Sequence, residues 1–501
     1  MSGLRAIECL AFNSSRLGHS YAPEWGSGGI FGLRSYRGTL YFTVAFDAVA
    51  YFFEGCSAAA TYDFTLVGPP PTSGGDTYNA VETVDDLIYF GGWVHAPAVF
   101  KGRGGSGSEI SFRNKYSHVH YYDLSERRVG LLWKDGLGDE YSWAGEVSEI
   151  VYDPVNDVLL VARGDGMQRL GVYSLDRRRG YARLLSSERS LKGAVFMDHI
   201  CFSAQNDDMD LVGIQCYDMV EGRMARRVPV DLKSHSVDGG GVLSPTPGPA
   251  VSAYSSYIQM VKGGIVAGDP VNGVEPMRFY RLLDFHRSVY GPLRTVALPL
   301  GGGIIVAFNS FTQHVIRRED LYGIRGEVLT GELVGPTVLV YISPPSARIV
   351  ASLGARVTSI EAVGTHLLIA TNTEANLLRY DSTLVDHGSK GILALDVDRI
   401  FGAAPPPVTF NVKGNMVGSH EFGGIPLEGY KEPVARIRAS KSNRLTLKSY
   451  TLDLRGPEAE SSTVELKEGL NIIDLSSYRG SIVSFKLERP DHKARIALSL
   501  L

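Results

Sequence analysis

Cysteine is scarce in this chain, with four among 501 residues, at positions 9, 56, 201 and 216. Four scattered thiols exclude a disulfide-rich scaffold, and the lack of any Cys-x-x-Cys pair excludes a zinc ribbon. No run of eighteen apolar residues exists, so no membrane-spanning helix is expected. Arg5 and Glu8 interrupt the opening residues where a signal peptide would be apolar, and the expectation is a cytoplasmic protein. An excess of one charge sign is also missing. Fifty Lys and Arg oppose 54 Asp and Glu, a net charge of −4, so there is no global field to recruit nucleic acid or an anionic membrane. Neither is expected as a partner. Walker loops and Gly-x-Ser-x-Gly elbows are absent, and the Gly-rich run from Gly102 to Ser108 has no phosphate-loop lysine. No cofactor is therefore expected. His118-Val-His120 would place two imidazoles on one side of a strand, but no third ligand is adjacent, and no metal is assigned. Lysine is itself sparse beside arginine, 14 against 36, a bias that a thermophile or a GC-rich genome would give.

What the chain does have is a recurring strand. Leu159-Leu-Val-Ala162 is apolar and β-branched, and it stops at Arg163-Gly164-Asp165. The same design appears at Leu40–Thr43, Ile88–Gly91, Ile200–Ser203, Ile265–Ala267, Ile304–Ala307 and Leu367–Ala370. Each copy ends in a small residue and a polar or glycine-containing turn. Around Leu159 the unit is complete. Val147–Tyr152, Val158–Ala162, Gly171–Leu175 and Tyr181–Leu185 read as four short antiparallel strands within about forty residues, the unit of a β-propeller blade. A second signature follows the third strand: Tyr122-Asp-Leu-Ser-Glu-Arg, Tyr173-Ser-Leu-Asp-Arg-Arg and Tyr217-Asp-Met-Val-Glu-Gly, with looser copies at Tyr280 and Tyr380. The fold predicted is all-β: a propeller of about seven four-stranded blades, six or eight remaining open, over residues 1–404. Ile7–Phe12 is expected to complete the last blade, which would remove the open sheet edges.

A boundary is expected near Gly402-Ala-Ala-Pro-Pro-Pro-Val408. Beyond it, residues 405–501 alternate apolar and polar along several strands and hold half of all the lysines. Such alternation gives each strand a wet and a dry face, and a small jelly-roll-like β-sandwich is predicted. Cys201 and Cys216 fall on strands expected to be neighbours. A cross-strand disulfide is open there, with buried free thiols as the expected state.

In a blade with strands A to D, the B–C and D–A connections share one face, and here they are the long polar ones. The candidate ligand-binding residues on them are Trp93, His95, Tyr141, Trp143, Glu146, Arg163 and Asp165. Aromatic faces stack on a ring-shaped ligand, carboxylates accept its hydroxyls, and a carboxylate pair performs acid/base work. Glu146, Asp165 and His95 are the catalytic candidates on that view. Structural roles are weighed beside these: packing between blades for the tryptophans, turn capping or pairing with Arg163 and Arg169 for the acids, and a hydrogen-bonded structural role for the histidine.

The sevenfold pattern, with Gly92-Trp-Val-His-Ala-Pro-Ala98 and Trp143-Ala-Gly-Glu-Val-Ser-Glu149, is similar to an uncharacterised archaeal family of propeller-like proteins. That resemblance implies the fold and no activity. Two functions stay open. One is a binding or interaction scaffold for a protein or a small polar ligand such as a glycan. The other is a carbohydrate-active enzyme, a glycoside hydrolase or lyase, with carboxylates at the axis end.

Overall fold

A computed structural model describes residues 29–45, 48–55, 57–67, 74–95, 99–101, 109–111, 115–139, 142–225, 227–232, 242–273, 277–288, 290–310, 334–372, 390–454 and 459–501. By Cα proximity the chain divides into two compact units. The first holds Met1–Val228, Arg294–Val296 and Val357–Val397, and the second holds Pro229–Leu293, Ala297–Arg356 and Asp398–Leu501.

The fold is all-β, and its repeating element is the propeller blade. Seven antiparallel sheets follow one another along the chain; five have consecutive strands in spatial order, and blades 2 and 4 each carry one extra strand off that order. We number them blades 1 to 7. Blade 1 runs from Ile30 to Asp63, blade 2 from Gly74 to Gly136, blade 3 from Glu149 to Ser186, and blade 4 from Gly193 to Pro229. Blade 5 spans Pro247–Arg281, blade 6 Ala297–Leu353 and blade 7 Arg356–Asp396, the last with three described strands. Ile7–Phe12 and Tyr380 lie outside the described residues.

Within the first unit the blades stack through alternating apolar faces. Tyr41 and Phe52 of blade 1 share a cluster with Val81, Ile88 and Phe90 of blade 2. Tyr89 and Val119 of blade 2 meet Ile150 and Leu159 of blade 3, and Val151 and Leu160 meet Ile200 and Phe202 of blade 4. Leu368 and Ala370 of blade 7 pack on Ile30 and Phe42 of blade 1, so the last blade adjoins the first. Each Val, Leu, Ile or Phe among them, buried completely, contributes about 1.5–3 kcal/mol.

The recurring small residue has a physical cause. In blade 2 the second strand passes so close to its neighbours that no side chain fits at Gly91. A Cβ on Gly91 would lie 2.5 Å from Val147 Cγ1 and 2.8 Å from the His118 carbonyl oxygen. Ser203 uses its position differently, its Oγ accepting from the N–H groups of Leu191 and Lys192 at 3.1 and 3.2 Å. The tyrosine signature is explained by its turn. Asp123 Oδ1 accepts from the N–H groups of Ser125 and Glu126, Asp176 from Arg178 and Arg179, and Asp218 from Val220 and Glu221. An aspartate cap therefore closes the C–D turn in three successive blades.

Three expectations are corrected. In blade 5 the motif at Ile265–Ala267 lies on the third strand, and Ser256–Val261 occupies the second place. The glycine pair at 91–92 does not end its strand, which continues from Leu87 to His95 because Tyr116–Asp123 pairs along it as far as Val94. Cys201 and Cys216 stand directly opposite each other on adjacent strands, with Cα atoms 3.9 Å apart, and they form a disulfide instead of remaining thiols.

In the second unit, residues 408–500 build two four-stranded antiparallel sheets. The first has the order Val408–Lys413, Arg495–Leu500, Val434–Ala439, Gly469–Asp474. The second has the order Phe422–Pro426, Ile482–Leu487, Asn443–Tyr450, Ala459–Leu466. Phe410, Ile437 and Leu498 from one sheet and Leu447 and Phe485 from the other fall in a single apolar cluster, shared with Ile258 of blade 5 and Val340 of blade 6.

Candidate functional site

The two connections singled out by sequence are laced together. The segment leading into blade 3, residues 142–148, runs beside the B–C turn of that blade, residues 163–170. Met167 and Gln168 donate their N–H groups to the Trp143 carbonyl at 3.1 and 3.0 Å. Gly145 N–H donates to Gln168 O (2.8 Å) and Glu146 N–H to Asp165 O (2.6 Å). The approach is close enough to require glycine on both sides: a Cβ at Gly166 would lie 2.7 Å from Gly145 Cα, and Gly166 has φ of +146°.

Arg163 is the clamp of this pair. Its guanidinium is buried and spends its donors in three directions: Nε to Gly145 O (2.8 Å), Nη1 to Asp135 Oδ2 (2.8 Å) and Nη2 to Ser117 Oγ (3.2 Å). The rings of Trp133 and Tyr173 lie 5.1 and 5.0 Å from its central carbon. Burial lowers its pKa, and Asp135 opposes that shift. Arg169 reaches the other oxygen of the same aspartate from the surface.

Trp93 lies on a strand, not a loop, and it is buried. Its Nε1 donates to Ala144 O (2.9 Å), and its ring meets Trp143 edge-on at 6.3 Å. The Lys115 ammonium sits 3.5 Å from the Trp93 ring and 4.4 Å from the Trp143 ring. Two tryptophans thus grip a buried cation of the protein itself. The stacking face expected for a sugar ring is taken on Trp93, while Trp143 is half-buried.

The carboxylates do not form an open acid/base pair. Glu146 is completely buried, so its carboxyl cannot touch a ligand arriving from solvent. Asp165 is nearly as buried and accepts from the Tyr78 hydroxyl at 2.8 Å. It is not the partner of Arg163; Asp135 is. The side chain of His95 and all of Tyr141 lie outside the described residues. Among the described residues, no group of three or more His, Cys, Asp or Glu is placed to hold a metal ion.

A second polar network escaped sequence inspection. Lys192 Nζ donates to the carbonyls of Tyr78 and Ser148 and lies 3.2 Å from Glu149 Oε2. Asn79 accepts from Gly32 N–H (2.7 Å) and donates to Thr358 O (2.9 Å), tying blades 1, 2 and 7. Arg34 approaches Glu361 at 3.9 Å. Burial raises the pKa of Glu82 and of Glu149, and it raises Glu361 to about 7, with Arg34 opposing. These residues sit in, or within a few positions before, the first strand of a blade. A polar side chain just ahead of each such strand is the only signal the sequence offered.

His118 and His120 do share one side of their strand, but they face each other. Their Nδ1 atoms are 2.9 Å apart, and Phe64, Tyr62 and Phe90 enclose the rings. Burial holds His118 well below the usual imidazole range and brings His120 down to about 3.

Residues 40–380 match the family described as uncharacterized protein conserved in archaea (DUF2139). No curated protein matches the chain. Among solved structures, it is similar to an exo-β-1,3-galactanase from Phanerochaete chrysosporium (10% identity over 84% of this chain and 94% of that one, TM-score 0.29). It is also similar to Sqt1 of Saccharomyces cerevisiae (8%, 72% and 81%, TM-score 0.38) and to the Dos1 propeller (9%, 66% and 71%, TM-score 0.35).

Proposed function

The chain belongs to that uncharacterized archaeal family, and we propose that its propeller, residues 1–404, is a binding scaffold presenting the face of segments 142–148 and 163–170 to a polar ligand or a protein partner. Residues 405–501 form an appended module on this reading. The observation that carries it is a rigid, internally bonded loop pair whose buried side holds Arg163, Trp93 and Lys115 while Met167 and Arg169 stay half exposed, at 54% and 50%. Surface residues fixed from behind lose little entropy on binding. No observation favours the carbohydrate-active enzyme, because Glu146 is sealed from solvent and Asp165 is held by Tyr78.

The test is a thermal-shift screen of the whole protein against sugars and nucleotides, together with cross-linking to partners in cells of the source organism. A native-state ligand raises the melting temperature by mass action. Arg169→Glu and Met167→Glu are expected to abolish the shift or cross-link, and Tyr181→Ala, on another exposed edge, to leave it intact. Binding that survives both loop variants would refute the assignment to this face.

A further inference from the structure

We propose that the outward face of the sheet Val408–Lys413, Arg495–Leu500, Val434–Ala439, Gly469–Asp474 binds a small organic anion carrying two phosphate groups. The strand register sets up the site. Lys413 lies opposite Arg495, Arg495 opposite Arg438, and Arg438 opposite Leu470, so one row across four strands carries three cations and an apolar end. In the adjacent row, Arg436 lies between Ala497 and Ile472. With strands about 4.8 Å apart, the three cations span about 10 Å, and Arg436 is about 7 Å from Arg438 along its strand.

Like charges directly opposite one another destabilise a sheet. Among the described residues, Arg436, Arg438 and Arg495 form no ion pair with a carboxylate. The one acid of these four strands, Asp474, accepts from Ser476 N–H. Residues 405–501 hold fourteen Lys and Arg against eleven Asp and Glu, a local +3 in a chain of −4. Three arginines on one sheet face with no carboxylate partner among the described residues, in an otherwise acidic protein, make a site that an anion would stabilise.

The shape selects the class of anion. The row borders a concavity of about 500 Å³ lined by Asn411, Lys413, Arg436, Arg438, Leu470 and Arg495, among others. That volume suits a small molecule. No aromatic residue lines it, so a nucleobase finds no stacking platform. Arginine forks match phosphate oxygens in pairs of parallel hydrogen bonds. Three or four cations balance two phosphates, and Leu470 and Ile472, 60% and 65% exposed, offer an aliphatic ledge for the carbon body between them.

The experiment is calorimetric titration of the full-length protein at low salt with fructose 1,6-bisphosphate, inorganic phosphate and phosphatidylglycerol vesicles as separate probes. Saturable binding of the bisphosphate is expected, at least tenfold tighter than inorganic phosphate. Arg438→Glu should weaken it at least tenfold, and Arg223→Glu, a surface change elsewhere, should not. Arg438→Gln keeps the fold testable: it should weaken binding while raising the melting temperature of the free protein, since it relieves the like-charge row. No saturable binding, equal weakening by Arg223→Glu, or binding to the vesicles without binding to the bisphosphate would each overturn the proposal.

Discussion

Lowering the pH should destabilise the first unit through His118 and His120, and the size of the effect follows from their geometry. The 2.9 Å contact between the two Nδ1 atoms requires one ring to donate and the other to accept, so the accepting ring is neutral, and burial keeps the donating ring neutral as well, as the opposite tautomer. Protonating both would set two N–H groups against each other inside an aromatic shell. Burial holds His120 down to about 3 and His118 well below its usual range, whereas an unfolded histidine titrates near 6.5. Below about pH 6.5 the unfolded chain therefore binds protons that the folded chain refuses. Stability falls with decreasing pH at about 1.4 kcal/mol per unit for His120, or about 2 kcal/mol between pH 6.5 and 4.5, and His118 acts in the same direction. Glu361 works in the opposite direction. Its folded value of about 7 means its contribution is complete below the unfolded carboxylate range and is lost as pH rises through 7. The total slope mixes both effects, so the measurement must be a difference. Urea unfolding at pH 7.5, 6.5, 5.5 and 4.5 should be compared between the native protein and His120→Gln. The variant will be less stable at pH 7.5, but its loss per pH unit below 6.5 should be smaller by about 1.4 kcal/mol. Parallel slopes would show that His120 is not a neutral buried group and would refute the reasoning.

Other expected outcomes follow from single contacts. Arg163→Ala leaves Asp135 with its surface partner Arg169 alone and removes the stacking partner of Trp133 and Tyr173; the loss should stay below the roughly 3–5 kcal/mol of a buried pair broken outright, read from denaturant midpoints. Glu361→Gln removes a charge that burial disfavours, so it should raise the melting temperature at pH 8.5 and leave it unchanged near pH 4. Gly91→Ala drives a methyl into Val147 and the His118 carbonyl, and it should destabilise by about 1–3 kcal/mol, with the soluble yield at 37 °C as a first readout.

The repeat was legible because each blade must bury both faces of its second strand, which forces short apolar runs ending in a small residue. The turns were legible because aspartate caps leave a local signature. The slip in blade 5 arose where Gly264–Gly268 mimics a second strand while the true one, Ser256–Val261, ends in a valine instead of a small residue. Of the candidate site, the pairing of the two connections was visible only as two polar stretches. The partners were not, because Arg163 finds Asp135 and Ser117 in the preceding blade and Asp165 finds Tyr78, contacts set by blade packing instead of spacing along the chain. The tryptophans misled for a related reason: an aromatic residue near a loop reads alike whether it faces solvent or holds Lys115 from within.

The cysteine pair shows the same limit and supplies its own test. Composition favours free thiols in so cysteine-poor a chain, and only strand register decides the matter, by setting Cys201 opposite Cys216. The bond closes a loop with a sequence separation of 15, for which loop-closure entropy predicts about 3 kcal/mol of stabilisation. Both cysteines are buried, so a native-state reductant should act slowly and a denatured-state reductant at once. Intact-mass analysis after alkylation in denaturant without reductant should show residues 201 and 216 unmodified. Prior reduction should add two labels there and lower the urea midpoint. Cys201→Ala paired with Cys216→Ala should reproduce that lowered midpoint and make it insensitive to reductant. Labelling of both positions without reduction would show that the strands hold two thiols, and the predicted stabilisation would then be absent.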